Sequence, residues 1–190
     1  MLDRESCERR VYRLATLLTG NPNAAVKVIK SVVSAQLDLR KLDDSHMDRL
    51  TVLRSREIKS GAITCQLVPL KLAQALASLE PQQREAWVFT HVYKIPLRDM
   101  SKAMDCSTIA TERHIDHATA ELTEKLGTEF GKAGQILLSY SMTLQVPEFY
   151  RADQRRKRRM KWFYRVAATV FILAAIIAGL SWWLKSSGKL

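Results

Sequence analysis

The chain has 190 residues, with 30 Lys and Arg against 19 Asp and Glu and a formal net charge of +11. The excess is local: residues 150–165 carry +7, residues 185–190 carry +2, and residues 1–149 carry only +2, so the high pI does not argue for nucleic-acid binding by the bulk of the chain. Cys7, Cys65 and Cys106 are odd in number and far apart, with no CxxC and no Cys/His cluster; this argues against a disulfide framework or a metal site, and no cofactor is implied.

The expected fold class is all-α, because apolar residues recur at three- and four-residue steps almost throughout. Residues 4–19 place Val11, Leu14, Ala15 and Leu18 on one face, and Gly20 with Asn21-Pro22-Asn23 ends that helix. A second helix is predicted over about 24–41, with Ala25, Val28, Ile29, Val32 and Val33 inward, broken at Leu42–Ser45. A third, charged helix is predicted over about 46–59, and Gly61 and Pro69 frame a linker. By themselves these helices make a thin core.

From Leu70 the pattern tightens. A short helix is predicted over 70–79, and Pro81 fits the first position of the next, which carries Ala86, Trp87, Phe89 and Val92. Pro96 opens another, with Leu97, Met100, Ala103 and Met104. Asp105-Cys106-Ser107 is a polar turn, and Ser107 or Thr108 is a suitable N-cap for a helix over about 108–126 with Thr111, Ile115, Ala118 and Leu122 inward. One more helix is predicted over about 131–145, ended by Pro147.

Val166–Leu184 reads VAATVFILAAIIAGLSWWL, 19 residues without a charge. At about 1.5 Å per residue they span roughly 28 Å, close to the hydrocarbon thickness of a bilayer. Trp182 and Trp183 at one end and Trp162, Phe163 and Tyr164 at the other bracket the span as amphipathic rings do. A buried core helix is the alternative, but the segment has no polar face. Eight Lys and Arg between Arg151 and Arg165, against Asp153 alone, predict a single-pass anchor in the cytoplasmic (inner) membrane with the N-terminus in the cytoplasm. The basic run is expected to rest on anionic lipids; a nucleic-acid arm or a phosphoinositide patch has the same composition. Residues 1–13 are highly charged with no apolar core after them, unlike a signal peptide.

Two short helices joined by a tight turn, with a supporting helix before them, have the form of a helix-turn-helix. Periodicity alone leaves simple packing of three helices equally open. Leu76–Leu126 reads LASLEPQQREAWVFTHVYKIPLRDMSKAMDCSTIATERHIDHATAELTEKL. In it Leu79, Pro81, Arg84 and Glu85, then Asp99, Met100 and Met104, then Ile115, Ala118 and Leu122, resemble region 4 of the sigma-70 family in its extracytoplasmic-function form. Arg13-Leu14-Ala15, Leu18-Thr19-Gly20-Asn21 and Ala25 resemble the opening of region 2. The resemblance covers about residues 8–126. It implies a region-2-like part over 1–62 and a region-4-like helix-turn-helix over 63–127; periodicity, charge and hydropathy add an extra helix over 128–149, a basic juxtamembrane segment over 150–165, the transmembrane helix over 166–184 and an external tail over 185–190.

The resemblance also implies partners: promoter DNA, met by Ser107, Thr108, Thr111, Glu112, Arg113, His114 and His117, and core RNA polymerase, met by Ala25, Lys27, Val28 and Lys30. The departures fall on these positions. Arg113 is the only basic residue in the first half of the recognition helix, and residues 80–126 hold six basic and eight acidic side chains. Phosphate contacts dominate non-specific DNA affinity, so a net-acidic reader has few of them. Lys27 and Lys30 stand where the family has acids or an amide, and no aromatic-rich melting segment is recognisable in His46–Lys59. Two functions follow: a membrane-tethered sigma-factor-like transcription regulator, or a sigma-derived interaction protein that binds another membrane regulator without DNA. No Gly-rich phosphate loop, HExxH or GxSxG competes, so no enzyme is expected.

Overall fold

The structure, a computed structural model, describes residues 4–35, 43–186 and 188. α1 (Arg4–Thr19) ends at Gly20, whose φ of +73° only glycine adopts freely and whose amide bonds the Thr16 carbonyl at 2.8 Å. α2 (Pro22–Ala35) starts two residues before the predicted position, because the Asn21 side chain accepts the Asn23 amide at 2.8 Å with Pro22 at the first helical position. Residues 36–41 of the predicted helix lie outside the described residues, as does Leu42. α3 (Asp44–Arg56) also starts early, since the Asp43 carboxylate accepts the His46 amide at 2.7 Å; Asp44 and Ser45, expected in the break, are helical.

α4 (Leu70–Ser78) and α5 (Pro81–Trp87) follow the linker, and the Glu80 amide bonds the Gln83 side chain at 3.1 Å at the start of α5. α5 then widens into a π-helical turn, Val88–Tyr93, which the sequence reading lacks. Lys94, with φ +52°, ends it, and the Ile95 amide reaches back to the Phe89 carbonyl at 3.0 Å. α6 (Leu97–Met104), α7 (Thr108–Leu126) and α8 (Phe130–Thr143) complete the series, with a 3₁₀ turn at Gly127–Glu129. Among the described residues there are no strands.

Residues up to Val146 form one compact unit, and a second unit begins at Pro147. No boundary between compact units falls near residue 62. The reason is the thin core of α1–α3: Leu14, Leu17, Leu18 and Val52 bury themselves in the same apolar cluster as Leu72, Leu76, Trp87, Phe89, Met104 and Leu122. Each such side chain stabilises by roughly 1.5–3 kcal/mol when removed from water.

Polar contacts fix the seam. Arg84, 1% exposed, donates from Nε to the Leu17 carbonyl at 2.9 Å and from Nη1 to the Gly61 carbonyl at 3.0 Å. Leu17 lies in the last turn of α1, where carbonyls lack intrahelical donors and a cation is favoured. The Gly61 amide in turn donates to the Thr19 carbonyl at 2.9 Å. A Cβ on Gly20 would lie 2.1 Å from the Gly61 oxygen, so glycine is required there for space as well as for φ. Arg56 at the end of α3 grips Glu85 of α5 through two bonds, 2.8 and 2.6 Å, and adds a third to the Met104 carbonyl at 2.9 Å.

The second unit is dominated by α9 (Glu148–Ser186), 39 residues long. Within it Trp162–Leu180, 19 residues of mean hydropathy 2.1, is long and apolar enough to cross a membrane and is not buried against protein. This window begins four residues before the one read from the sequence. The basic residues from Arg151 to Arg165 belong to the same helix.

Candidate nucleic-acid interface

α5, α6 and α7 pack on one another, and a three-residue turn joins the last two. Asp105 opens the turn with φ +57°, a conformation that disfavours most side chains. Its amide bonds the Lys102 carbonyl at 3.3 Å, and the Cys106 amide bonds the Ser101 carbonyl at 3.1 Å. Ser107 is the N-cap of α7, its hydroxyl accepting the Ala110 amide at 3.2 Å. α3 braces the turn from outside: Arg49 pairs with the Asp105 carboxylate at 2.8 Å, and Arg56 holds the Met104 carbonyl. Beside the turn lies an open cleft of about 640 Å³ that includes His46, Arg49, Lys102 and Ser107.

The expected contact residues divide by exposure. Ser107, Thr108, Glu112, Arg113 and His117 are exposed, and His114 is half-buried. Thr111 is 0% exposed, its hydroxyl donating to the Ser107 carbonyl at 2.9 Å and lying 3.1 Å from the Cys106 sulfur. Thr111 therefore serves the turn and is removed from the contact set. The helical period explains this: Thr111 shares a stripe with Ala118 and Leu122, both buried, and a residue inside that stripe faces the core.

The same period identifies residues that the sequence reading passed over. Ile109, 63% exposed, and Asp116 lie on the outer face with Glu112, Arg113 and His117. Elsewhere on the module Glu121 pairs with Lys125 at 2.6 Å, which holds its carboxyl below the usual carboxylate range, and Lys102 pairs with Asp99 at 3.4 Å. Arg84 and Glu85, counted with the module's charges in the sequence, are both buried and unavailable to any ligand. The outer face of α7 thus offers hydroxyl, imidazole, one guanidinium, two carboxylates and an exposed isoleucine. These groups can hydrogen-bond base edges or a protein surface; their charge attracts phosphate weakly.

On α2, Lys27 and Lys30 are exposed, whereas Ala25 and Val28 are buried at 0% and 1%. Ala25 and Val28 pack inside the unit and drop out of the expected polymerase-contact set; only the lysines of that set face outward. Among the described residues no group of three or more His, Cys, Asp or Glu is arranged to hold a metal ion. Cys7, Cys65 and Cys106 form no disulfide, Cys7 being buried and the other two half-buried. No protein-family model matches this chain, and no curated protein matches it.

Proposed function

We propose that the protein is a membrane-tethered, sigma-factor-like regulator of transcription, held by residues 166–184 with its N-terminus in the cytoplasm and presenting the outer face of α7 to promoter DNA. The observation that carries this reading is the braced helix-turn-helix: a supporting helix, a tight turn with its own cap, and a 19-residue second helix whose outer face is exposed. The resemblance of Leu76–Leu126 to sigma region 4 and the charge asymmetry around the apolar part of α9 support the same reading. Lys27 and Lys30 are then the part of α2 that is free to meet core RNA polymerase.

One observation favours a second reading. Arg113 is the one cation on the outer face of α7 over Thr108–His117, opposed by Glu112 and Asp116. Such a surface fits a protein partner in the membrane or cytoplasm better than a polyanion. One experiment separates the two. The tagged full chain is captured from mildly solubilised membranes and then titrated with promoter-length DNA at rising salt. The first reading expects polymerase subunits in the eluate and a DNA affinity that falls with salt and is lost in Arg113→Ala. Capture of a single regulatory protein without polymerase, with no salt-dependent DNA binding, replaces it with the second.

A further inference from the structure

Behind the helix-turn-helix, three irregularities of the backbone meet. The Val88–Tyr93 segment is π-helical, a rare conformation that concentrates at functional sites. Lys94, which follows, sits in the left-handed region with φ +52°. α8 approaches this turn so closely that a Cβ on Gly134 would come within 2.5 Å of the His91 carbonyl oxygen. One turn earlier, at Gly131, a Cβ would meet no heavy atom within 4 Å. The helices touch at Gly134 and open at Gly131, leaving a cleft of about 540 Å³. That is the size of an ordinary small-molecule site.

The chemistry of the cleft is specific. His91 and Phe130, both half-buried, meet edge to face with ring centres 5.6 Å apart and planes at 71°. Behind them the wholly buried Trp87 stacks on His91 at 5.0 Å. Two rings at an angle, with glycines beside them, form a corner that a third ring can complete by stacking or edge contact. Among the described residues of the lining Lys94 carries the positive charge, and Gln135 adds an amide. We infer that this cleft binds a small planar aromatic anion, its ring packed into the corner of His91 and Phe130 and its acid group against Lys94. The inference does not depend on DNA binding. It gives the supporting helix of the helix-turn-helix a ligand of its own, because the π-helical turn continues α5, on which α7 packs.

The test uses the full chain in detergent micelles, labelled with 5-fluorotryptophan. Trp87 is one of four tryptophans, and Trp87→Phe identifies its fluorine signal. The probes are salicylate and its uncharged counterpart salicylamide. A probe of roughly ten heavy atoms with ordinary ligand efficiency binds in the millimolar range. Salicylate is expected to shift the Trp87 signal saturably, and salicylamide to bind more weakly. Gly131→Leu, whose side chain enters the open space, is expected to keep the wild-type melting temperature and weaken the probe at least about tenfold. Lys94→Met is expected to weaken salicylate about threefold to fivefold and leave salicylamide unchanged. A Trp87 signal that neither probe moves, a Gly131→Leu protein that binds like wild type, or equal affinity for the two probes in the wild-type chain each overturns the assignment.

Discussion

The seam at the end of α1 and the outer face of α7 are opposite kinds of surface. At the seam the polar contacts interlock: Arg84 serves the Leu17 and Gly61 carbonyls through Nε and Nη1, Gly61 serves Thr19, and Gly20 leaves room for the Gly61 oxygen. On α7, the side chains of Ile109, Glu112, Arg113, Asp116 and His117 are exposed to solvent. A residue at the seam is explained by the fold. A residue on the outer face of α7 contributes little to the fold, so the fold leaves its identity open, and the proposed function gives it a role in recognition. The contrast places stability at the seam and leaves the outer face of α7 for the proposed recognition, and it can be broken at either.

The largest effect is expected at Gly20. Gly20→Ala combines an unfavourable positive φ with a Cβ driven into the Gly61 carbonyl, and a backbone atom cannot move aside as a side chain would. Strain and overpacking of this kind each cost about 1–3 kcal/mol, so a loss of about 3–5 kcal/mol is expected in denaturant unfolding of the full chain in detergent. Arg84→Met comes next. Methionine fills much of the space but leaves the buried Leu17 carbonyl and the half-buried Gly61 carbonyl without these donors, at about 1–2 kcal/mol each. Part of that loss is offset, because burial already opposes the Arg84 charge and lowers its pKa to about 10. A net loss of about 2–3 kcal/mol is expected. A wild-type unfolding midpoint in either variant means the seam does not hold α1 to α5.

The seam also marks what a linear sequence conceals. Gly20 is legible as a helix terminator because the signal is local, the glycine following a completed apolar stripe. Its second role is not legible, because Gly61 lies 41 residues away and only folding brings its oxygen near. The division expected near residue 62 has the same origin: periodicity reports that α1–α3 need more core, and says nothing of whose core they share. The two helices α6 and α7 and the turn between them are legible for the converse reason. Pro96, the Asp105–Ser107 turn and the cap at Ser107 are all neighbours in sequence, and α7 has the expected bounds. Thr111 was assigned both to the inward stripe and to the contact surface; the period was the better guide. The π-helical turn at Val88–Tyr93 leaves no mark in an apolar run that fits an α-helix equally well.

A paired substitution on α7 sharpens the contrast within a single helix. Thr111→Val keeps the shape but removes the hydroxyl that bonds the Ser107 carbonyl and meets Cys106, and about 1 kcal/mol of stability should go with it. Arg113→Ala, half a turn away on the exposed side, should change stability by less than about 0.5 kcal/mol. Ligand binding should respond in the reverse order, with Arg113→Ala abolishing salt-dependent DNA affinity and Thr111→Val leaving most of it. If both substitutions destabilise equally, the outer face of α7 has a structural role after all.

The smallest expected effect is on the pH dependence of stability, and it tests whether the aromatic corner belongs with the seam or with the open face. Burial pushes the His91 pKa below its ordinary value of 6.5, so the folded protein holds this imidazole neutral where the unfolded chain would protonate it. Between the lowered value and 6.5 the unfolded state binds more protons, and stability therefore rises with pH across that window. It should be fully present above 6.5 and decline as pH falls below it. His91→Phe keeps a ring against Trp87 and Phe130 but cannot titrate, so its stability should lack this component while other groups contribute as before. The informative quantity is the difference between the two curves, because Asp48, whose pKa burial raises against the pull of Arg10, works in the opposite sense. With a folded pKa above its unfolded one, Asp48 gains relative stability as pH falls. Subtracting the His91→Phe curve removes that contribution. A difference that stays flat from neutral to acid pH would mean that His91 is as open to water as the face of α7, and that the corner is no part of the buried framework.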